Sequence, residues 1–159
     1  MALRIFRFRR FSTQLLLLLA GLFTVVQLSV YLLISQANER NALEHIEQNL
    51  QTGAKIYKDR CESCHQAQGE GIARIYPPLA NNQSITMRNP VNSIRIVLNG
   101  GFPPSTEGNQ RPYGMPPFYQ DLSDEQIAAV VTYIRQSWGN AAPPAAPIEV
   151  GRSRGVPVD

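Results

Sequence analysis

Cys61-Glu62-Ser63-Cys64-His65 is a Cys-x-x-Cys-His pentad, a spacing with a specific mechanical reading. Two thiols one helical turn apart can each add to a vinyl group of the same porphyrin, and the adjacent His is then carried under the iron as its proximal ligand. Three plainer readings compete. A structural zinc site needs four ligands, and beyond this pentad the chain holds only His45 and no further Cys. A redox-active Cys-x-x-Cys needs a thioredoxin-like βαβ setting, and no stretch alternates with period two for long enough to supply its strands. A disulfide between cysteines three apart would be strained and would staple almost nothing. The pentad therefore predicts one haem c, bonded through Cys61 and Cys64, with His65 on the iron.

A second ligand is expected from Arg111-Pro112-Tyr113-Gly114-Met115-Pro116-Pro117-Phe118, where a flexible thioether stands between a glycine and two prolines. A lone Met is ordinarily a core residue, but the alternatives are few. Met1 precedes the apolar N-terminal run and Met87 sits in a Met-Arg-Asn-Pro turn. His45 is the weaker competitor, placed among polar residues far upstream. Met115 opposite His65 would raise the iron potential relative to two imidazoles, because a neutral thioether favours Fe(II).

The surrounding pattern is helical throughout, so the predicted class is all-α. The last helix has a full set of start signals: Ser123 as N-cap, Gln126 at the capping-box position, and Leu122 with Ile127 as a hydrophobic staple. Ile127, Val130, Val131, Ile134 and Trp138 follow on one face, with Gly139 as the stop. A middle helix begins at Asn89-Pro90 and carries Val91, Ile94, Val97 and Leu98 on one stripe. A first helix over 52–59 runs into the cysteines. The loops at 66–88 and 101–121 are long for so small a domain, which points to something other than side chains filling its middle.

Outside this domain, 53–140, the chain changes character. Residues 11–35 carry no charge and are long enough for one pass across the ~30 Å hydrocarbon core of a bilayer. Arg4, Arg7, Arg9 and Arg10 precede them, so the positive-inside bias puts 1–10 in the cytoplasm and the rest outside. Ser35 and Ala37 leave cleavage after Ala37 open as the alternative to a retained anchor. Residues 36–52 read as a helical stalk, and 141–159, rich in Pro and Ala, as a disordered tail. The net charge is +3, but removing 1–35 leaves 11 basic and 12 acidic residues, so the folded part has no nucleic-acid footprint.

Taken together, the pentad, Pro77-Pro78-Leu79, Tyr113-Gly114-Met115-Pro116-Pro117-Phe118 and a last helix ending near Trp138 resemble class I cytochromes c. The resemblance implies that family's fold, with N- and C-terminal helices crossing near the haem; Gly53 or Ala54 and Tyr57 would there meet Val130, Tyr133 and Ile134. It also implies that His65 donates to a proline carbonyl, Pro77 or alternatively Pro78. More narrowly, PPLANN, RPYGMPPF and LSDEQIAAVVTYIRQSWGN are similar to the last haem domain of the cytochrome subunits of membrane-bound alcohol and gluconate-type dehydrogenases. This chain has one attachment motif where those have three, and its membrane segment precedes the domain. The implied activity is single-electron transfer, without substrate catalysis, by a single-pass protein of a bacterial inner membrane whose haem domain lies in the periplasm. A quinol oxidoreductase or quinoprotein dehydrogenase would be the donor, and a terminal oxidase or reductase the acceptor. Phe102, Pro103, Phe118 and Tyr119 are expected either to pack the haem or to form an apolar docking patch. The alternatives are a subunit of a larger dehydrogenase or oxidase complex, and a ligand-binding haem sensor with an open distal site.

Overall fold

A computed structural model describes residues 2–102, 104–107 and 113–155, with side chains from residue 13 onward. Six helices occur among the described residues: α1 (Ala2–Arg60), α2 (Glu62–His65), α3 (Gln83–Thr86), α4 (Val91–Asn99), α5 (Asp124–Gln136) and α6 (Pro147–Arg154). Among the described residues no strand accompanies them, and isolated antiparallel pairings join Ile72 with Tyr76 and Gly101 with Met115. The chain divides into two units, Met1–His45 and Ile46–Asp159. In the first, one helix is long and apolar enough to cross a membrane, and its leucines, such as Leu17 and Leu18, are exposed. No helix break separates 36–52 from 52–59, because nothing between Ser35 and Gln51 is a Gly or Pro and the isolated Gly53 is tolerated.

In the second unit, α5 begins where its signals stand. Ser123 Oγ accepts from the Gln126 backbone N–H at 3.3 Å, and Gln126 Oε1 accepts from the Ser123 N–H at 2.9 Å. Leu122 and Ile127 are both buried beside this cap. The helix stops at Gln136, short of Trp138, which has left-handed backbone (φ 52°). Trp138 therefore packs from outside the helix, with its ring 4.9 Å from that of Tyr57 and 5.5 Å from that of Tyr133. The expected crossing of α1 with α5 centres on Gly53, where a Cβ would overlap the Ala129 carbonyl and the Tyr133 side chain. Only a hydrogen at that position lets the two backbones come so close. Tyr57 completes the contact, its ring 5.6 Å from that of Tyr133 and its hydroxyl donating to Gln66 O at 2.6 Å.

The C-terminal segment departs from the expectation of a disordered tail over 141–159. Residues 147–154 form α6, packed on α4 and α5, while 156–159 lie outside the described residues. Pro147 occupies the start of the helix, Glu149 accepts from the Ala146 N–H at 2.8 Å, and Val150 is wholly buried. Small residues bring the extended stretch before it close to α5, where Ala142 and Ala145 are buried and the Ala145 N–H donates to Thr132 Oγ1 at 3.0 Å. Pro/Ala composition suggested no core because the ties here come from α5, through Thr132 and Arg135.

Arg135 has no solvent exposure. Its guanidinium donates to Pro143 O (3.0 Å), Ile85 O (2.5 Å), Met87 O (2.8 Å) and Arg88 O (3.4 Å), joining the tail to the segment before α4. Burial holds it below its ordinary pKa, and the Glu149 carboxylate acts in the opposite sense. Arg135→Ala is expected to cost about 3 kcal/mol, since several carbonyls would lose donors in a buried setting. Urea unfolding of the holo-protein measures it, and a shift within experimental error would contradict the role.

Candidate functional site

Three elements of the second unit bring the expected residues together. The last turn of α1 leads into Cys61, and the one-turn helix α2 carries Cys64 and His65. Its short span is stitched by bonds from the Cys64 and His65 N–H groups to Cys61 O, at 3.1 and 2.9 Å. The loop after it returns as an extended segment at Pro77, and the strap after α4 carries Met115. Cys61, Cys64, His65, Pro77 and Met115 all line one cavity of about 360 Å³.

Both thiols are free. Burial pushes the Cys61 thiol up to about 11, and Cys64 beside it adds to the effect, so it stands as a neutral thiol at pH 7. Tyr76 is likewise raised, first by a hydrogen bond with Cys64. His65 Nδ1 lies 3.0 Å from Pro77 O, whereas Pro78 O accepts from Asn82 Nδ2 at 2.8 Å. A carbonyl can only accept, so Nδ1 carries the proton and Nε2 keeps its lone pair. Burial lowers the His65 pKa and the bond to Pro77 works against that shift. The neutral, singly protonated ring is the form that binds a metal.

Met115 is fixed through its backbone, with its N–H donating to Gly101 O at 2.8 Å and its carbonyl accepting from Gly101 N at 3.1 Å. Gly100 makes that pairing possible, since it holds φ 66° and a Cβ there would overlap Met115 O. Met87, the alternative methionine, is half exposed in its turn and accepts a 3.8 Å bond from Asn92 Nδ2. His45, the other competitor, falls in the first unit.

The aromatic expectations divide. Phe102 and Phe118 both line the cavity, but Phe102 is 85% exposed whereas Phe118, at 7%, is buried, which suits packing against the haem and offers nothing to a docking face. Tyr119 lies beneath the Arg154 guanidinium, 4.8 Å from its ring centre. Pro103, Arg111 and Pro112 lie outside the described residues. Sequence reasoning missed Ile96 and Tyr76 on the cavity wall. Ile96 gave one signal, an apolar residue on α4 off the stripe of Ile94, Val97 and Leu98, and it faces the cavity instead of the core.

A haem c fits this donor set. Two thiols at attachment spacing, an imidazole with a free Nε2 and a thioether surround one cavity, and its remaining wall is largely apolar, with Pro77, Ile96 and Tyr113. A zinc site does not fit, since among the described residues Cys61, Cys64 and His65 are joined on the cavity wall by no fourth His, Cys, Asp or Glu, and no cluster of such side chains is arranged to hold a metal ion.

Comparison with known proteins agrees with this chemistry. The family model for cytochrome c matches residues 50–138. The cytochrome c subunit of the quinone-type alcohol dehydrogenase of Gluconacetobacter polyoxogenes is 39% identical over 109 residues, covering 67% of this chain and 23% of that subunit. The gluconate 2-dehydrogenase cytochrome c subunit of Pantoea cypripedii is 40% identical over 93 residues, 58% of this chain and 21% of the subunit. Cytochrome c-552 of Thermus thermophilus is 36% identical over 92 residues, 56% of this chain and 70% of that protein. The chain thus spans less than a quarter of the length of the two dehydrogenase subunits and most of the length of the small cytochrome.

Proposed function

The chain belongs to the cytochrome c family, and from that premise we propose a membrane-tethered carrier of single electrons whose haem c is bonded through Cys61 and Cys64, with His65 and Met115 as axial ligands. Family membership makes it an electron-transfer haem protein without substrate catalysis of its own. When bound, the haem supplies an Fe(III)/Fe(II) couple. The convergence of Cys61, Cys64, His65 and Met115 on one cavity carries the reading of the site.

Each residue has a distinct task in it. The thiols hold the group covalently, so it cannot be lost on reduction or dilution. The Pro77 carbonyl fixes the His65 ring plane and makes its free nitrogen a better donor. The Met115 thioether, neutral and soft, favours the reduced state. Pro77, Ile96 and Tyr113 keep water from much of the cavity, which reduces the solvent reorganisation that accompanies a change of charge.

The apolar stretch of α1 supports a single-pass anchor, and the arginines before it support a cytoplasmic N-terminus with the haem domain in the periplasm of a bacterial inner membrane. Tethering replaces free diffusion with a high effective concentration at membrane partners. Similarity to cytochrome subunits of alcohol and gluconate dehydrogenases favours a membrane dehydrogenase as donor over a quinol oxidoreductase. A terminal oxidase or reductase completes the path.

An optical spectrum of the purified, reduced protein before and after carbon monoxide tests the ligation. A spectrum unchanged on mixing, with at most slow conversion afterwards, is expected, because His65 and Met115 would both hold the iron. A large shift on mixing would show an open distal position, overturn the Met115 assignment and favour a ligand-binding haem protein.

A further inference from the structure

Met115 belongs to a strap, residues 113–122, between α4 and α5, and among the described residues the main chain of the strap is hydrogen-bonded to its surroundings at three places. Its start is paired with Gly101, and the Phe118 N–H donates to Val97 O at 3.0 Å. The third tie comes from α6, beyond the residues that the cytochrome c family model matches. There the Arg154 side chain spreads its fork over the turn that follows Phe118. Nη1 donates to Tyr119 O, Nη2 donates to Leu122 O at 2.6 Å, and Nε meets Asp124 Oδ1 at 2.5 Å. The guanidinium plane also lies over the Tyr119 ring at 4.8 Å.

This geometry is more than a surface ion pair. Arg154 and Asp124 are 20% and 31% exposed, and the two carbonyls are main-chain groups of the strap itself. A planar fork with several fixed donors can serve a carboxylate and two carbonyls at once, which a lysine cannot. Helix α6 is itself well seated, with Val150 wholly buried and Ser153 Oγ donating to Glu149 O at 2.8 Å. Gly151 passes close to Asp124, where a Cβ would come within 2.9 Å of its Oδ2. The latch therefore has a fixed base on one side and a ligand-bearing loop on the other.

We propose that α6 is a positioning element for the axial thioether, with Arg154 as the positioning residue: by holding Tyr119 and Leu122 it keeps the strap closed and Met115 on the iron. This rests on the assignment of Met115 as ligand. Without the latch the strap would keep its bonds to Gly101 and Val97, the contact of Tyr113 with Tyr76 and the buried Phe118, but the turn at Tyr119 would lose its tie to α6, and the strap would open more often to an incoming ligand. Loss of charge-assisted bonds of this kind shifts a closed–open equilibrium by about tenfold or more.

The test uses the full-length holo-protein, comparing the parent with Arg154→Ala, Arg154→Gln and Arg152→Ala, the last an exposed neighbour on the same helix. Two signals are followed: the far-red charge-transfer band of thioether-bound ferric haem, and the rate of carbon monoxide binding to the reduced protein. Arg154→Ala is expected to weaken the band and speed binding about tenfold or more, with Arg152→Ala at parent values. Arg154→Gln keeps a packed stem without the fork, and is expected to behave like Arg154→Ala should the alanine variant not accumulate. Parent-like band and rate in a folded Arg154→Ala or Arg154→Gln protein would overturn the proposal. So would a rate that rises only in step with global unfolding, followed by circular dichroism over the same denaturant series. A parent protein that lacks the band and binds carbon monoxide at once would overturn the ligation reading, and the latch with it.

Discussion

Met115→Ala is expected to leave haem attached and to lower the midpoint potential by on the order of a hundred millivolts or more, given the span over which axial ligands tune haem. Attachment depends on Cys61 and Cys64, which belong to α2 and the residue before it and not to the substituted strap. Only the sixth position changes: a neutral sulfur that favours Fe(II) gives way to water, hydroxide or nothing. The strap itself should persist, because Met115 is paired with Gly101 through its backbone, and Phe118 remains buried and bonded to Val97. Potentiometric titration of parent and variant measures the effect, with the far-red band as a second signal. A variant with the parent potential and spectrum would remove Met115 from the iron.

Cys61→Ala with Cys64→Ala should prevent the protein from accumulating. The cavity these residues border is about 360 Å³. At about 24 cal/mol per Å³, a void of that size costs up to about 9 kcal/mol, which rivals the roughly 5–15 kcal/mol that holds an ordinary domain together. Water entering from the open side reduces the cost without replacing the lost contacts. Residues packed at its border, among them Met115, Phe118 and Cys61, also belong to or pack on the hydrophobic core. The segments that carry Tyr76 and Pro77 and that carry Tyr113, Gly114 and Met115 would then lose what they line. Immunoblot of membranes with haem staining reads the outcome, and a folded, colourless product at parent levels would show that the polypeptide core suffices alone.

Much of this architecture is legible in the chain because it depends on short-range chemistry. Ser123 and Gln126 are three residues apart and cap α5 whatever surrounds them. Asn89 likewise bonds the Val91 N–H at 3.0 Å at the start of α4. The end of α5 is harder to read. Trp138 continues the apolar stripe, yet the helix stops at Gln136, and Trp138 turns into left-handed backbone to pack on Tyr57 and Tyr133. Periodicity registers which residues are apolar and is blind to a partner arriving from a distant part of the chain.

Polar anchors mislead in the same way. Thr132 and Arg135 are polar residues of α5 outside the apolar stripe of Ile127, Val130, Val131 and Ile134, yet both are buried because the C-terminal segment folds back over them. That segment is Pro/Ala-rich with one buried valine, so its composition reads as disorder. Its order comes from carbonyls satisfied by side chains of α5, Pro143 O by Arg135, Ala145 O by Thr132 and Ala142 O by Gln136, and from alanines small enough to permit close approach.

The sequence by itself determined the attachment chemistry, the all-helical class and the capped start of α5, since each follows from covalent spacing or bonds between residues a turn apart. Tertiary structure alone decided that α6 exists as a packed helix, that Arg135 is a buried tie and that Arg154 reaches the strap of Met115. The bonds of Arg135 to Ile85 and of Arg154 to Asp124 and Leu122 join residues roughly 30 or more positions apart, and their free energy exists only once the chain has brought the partners together and excluded water from between them.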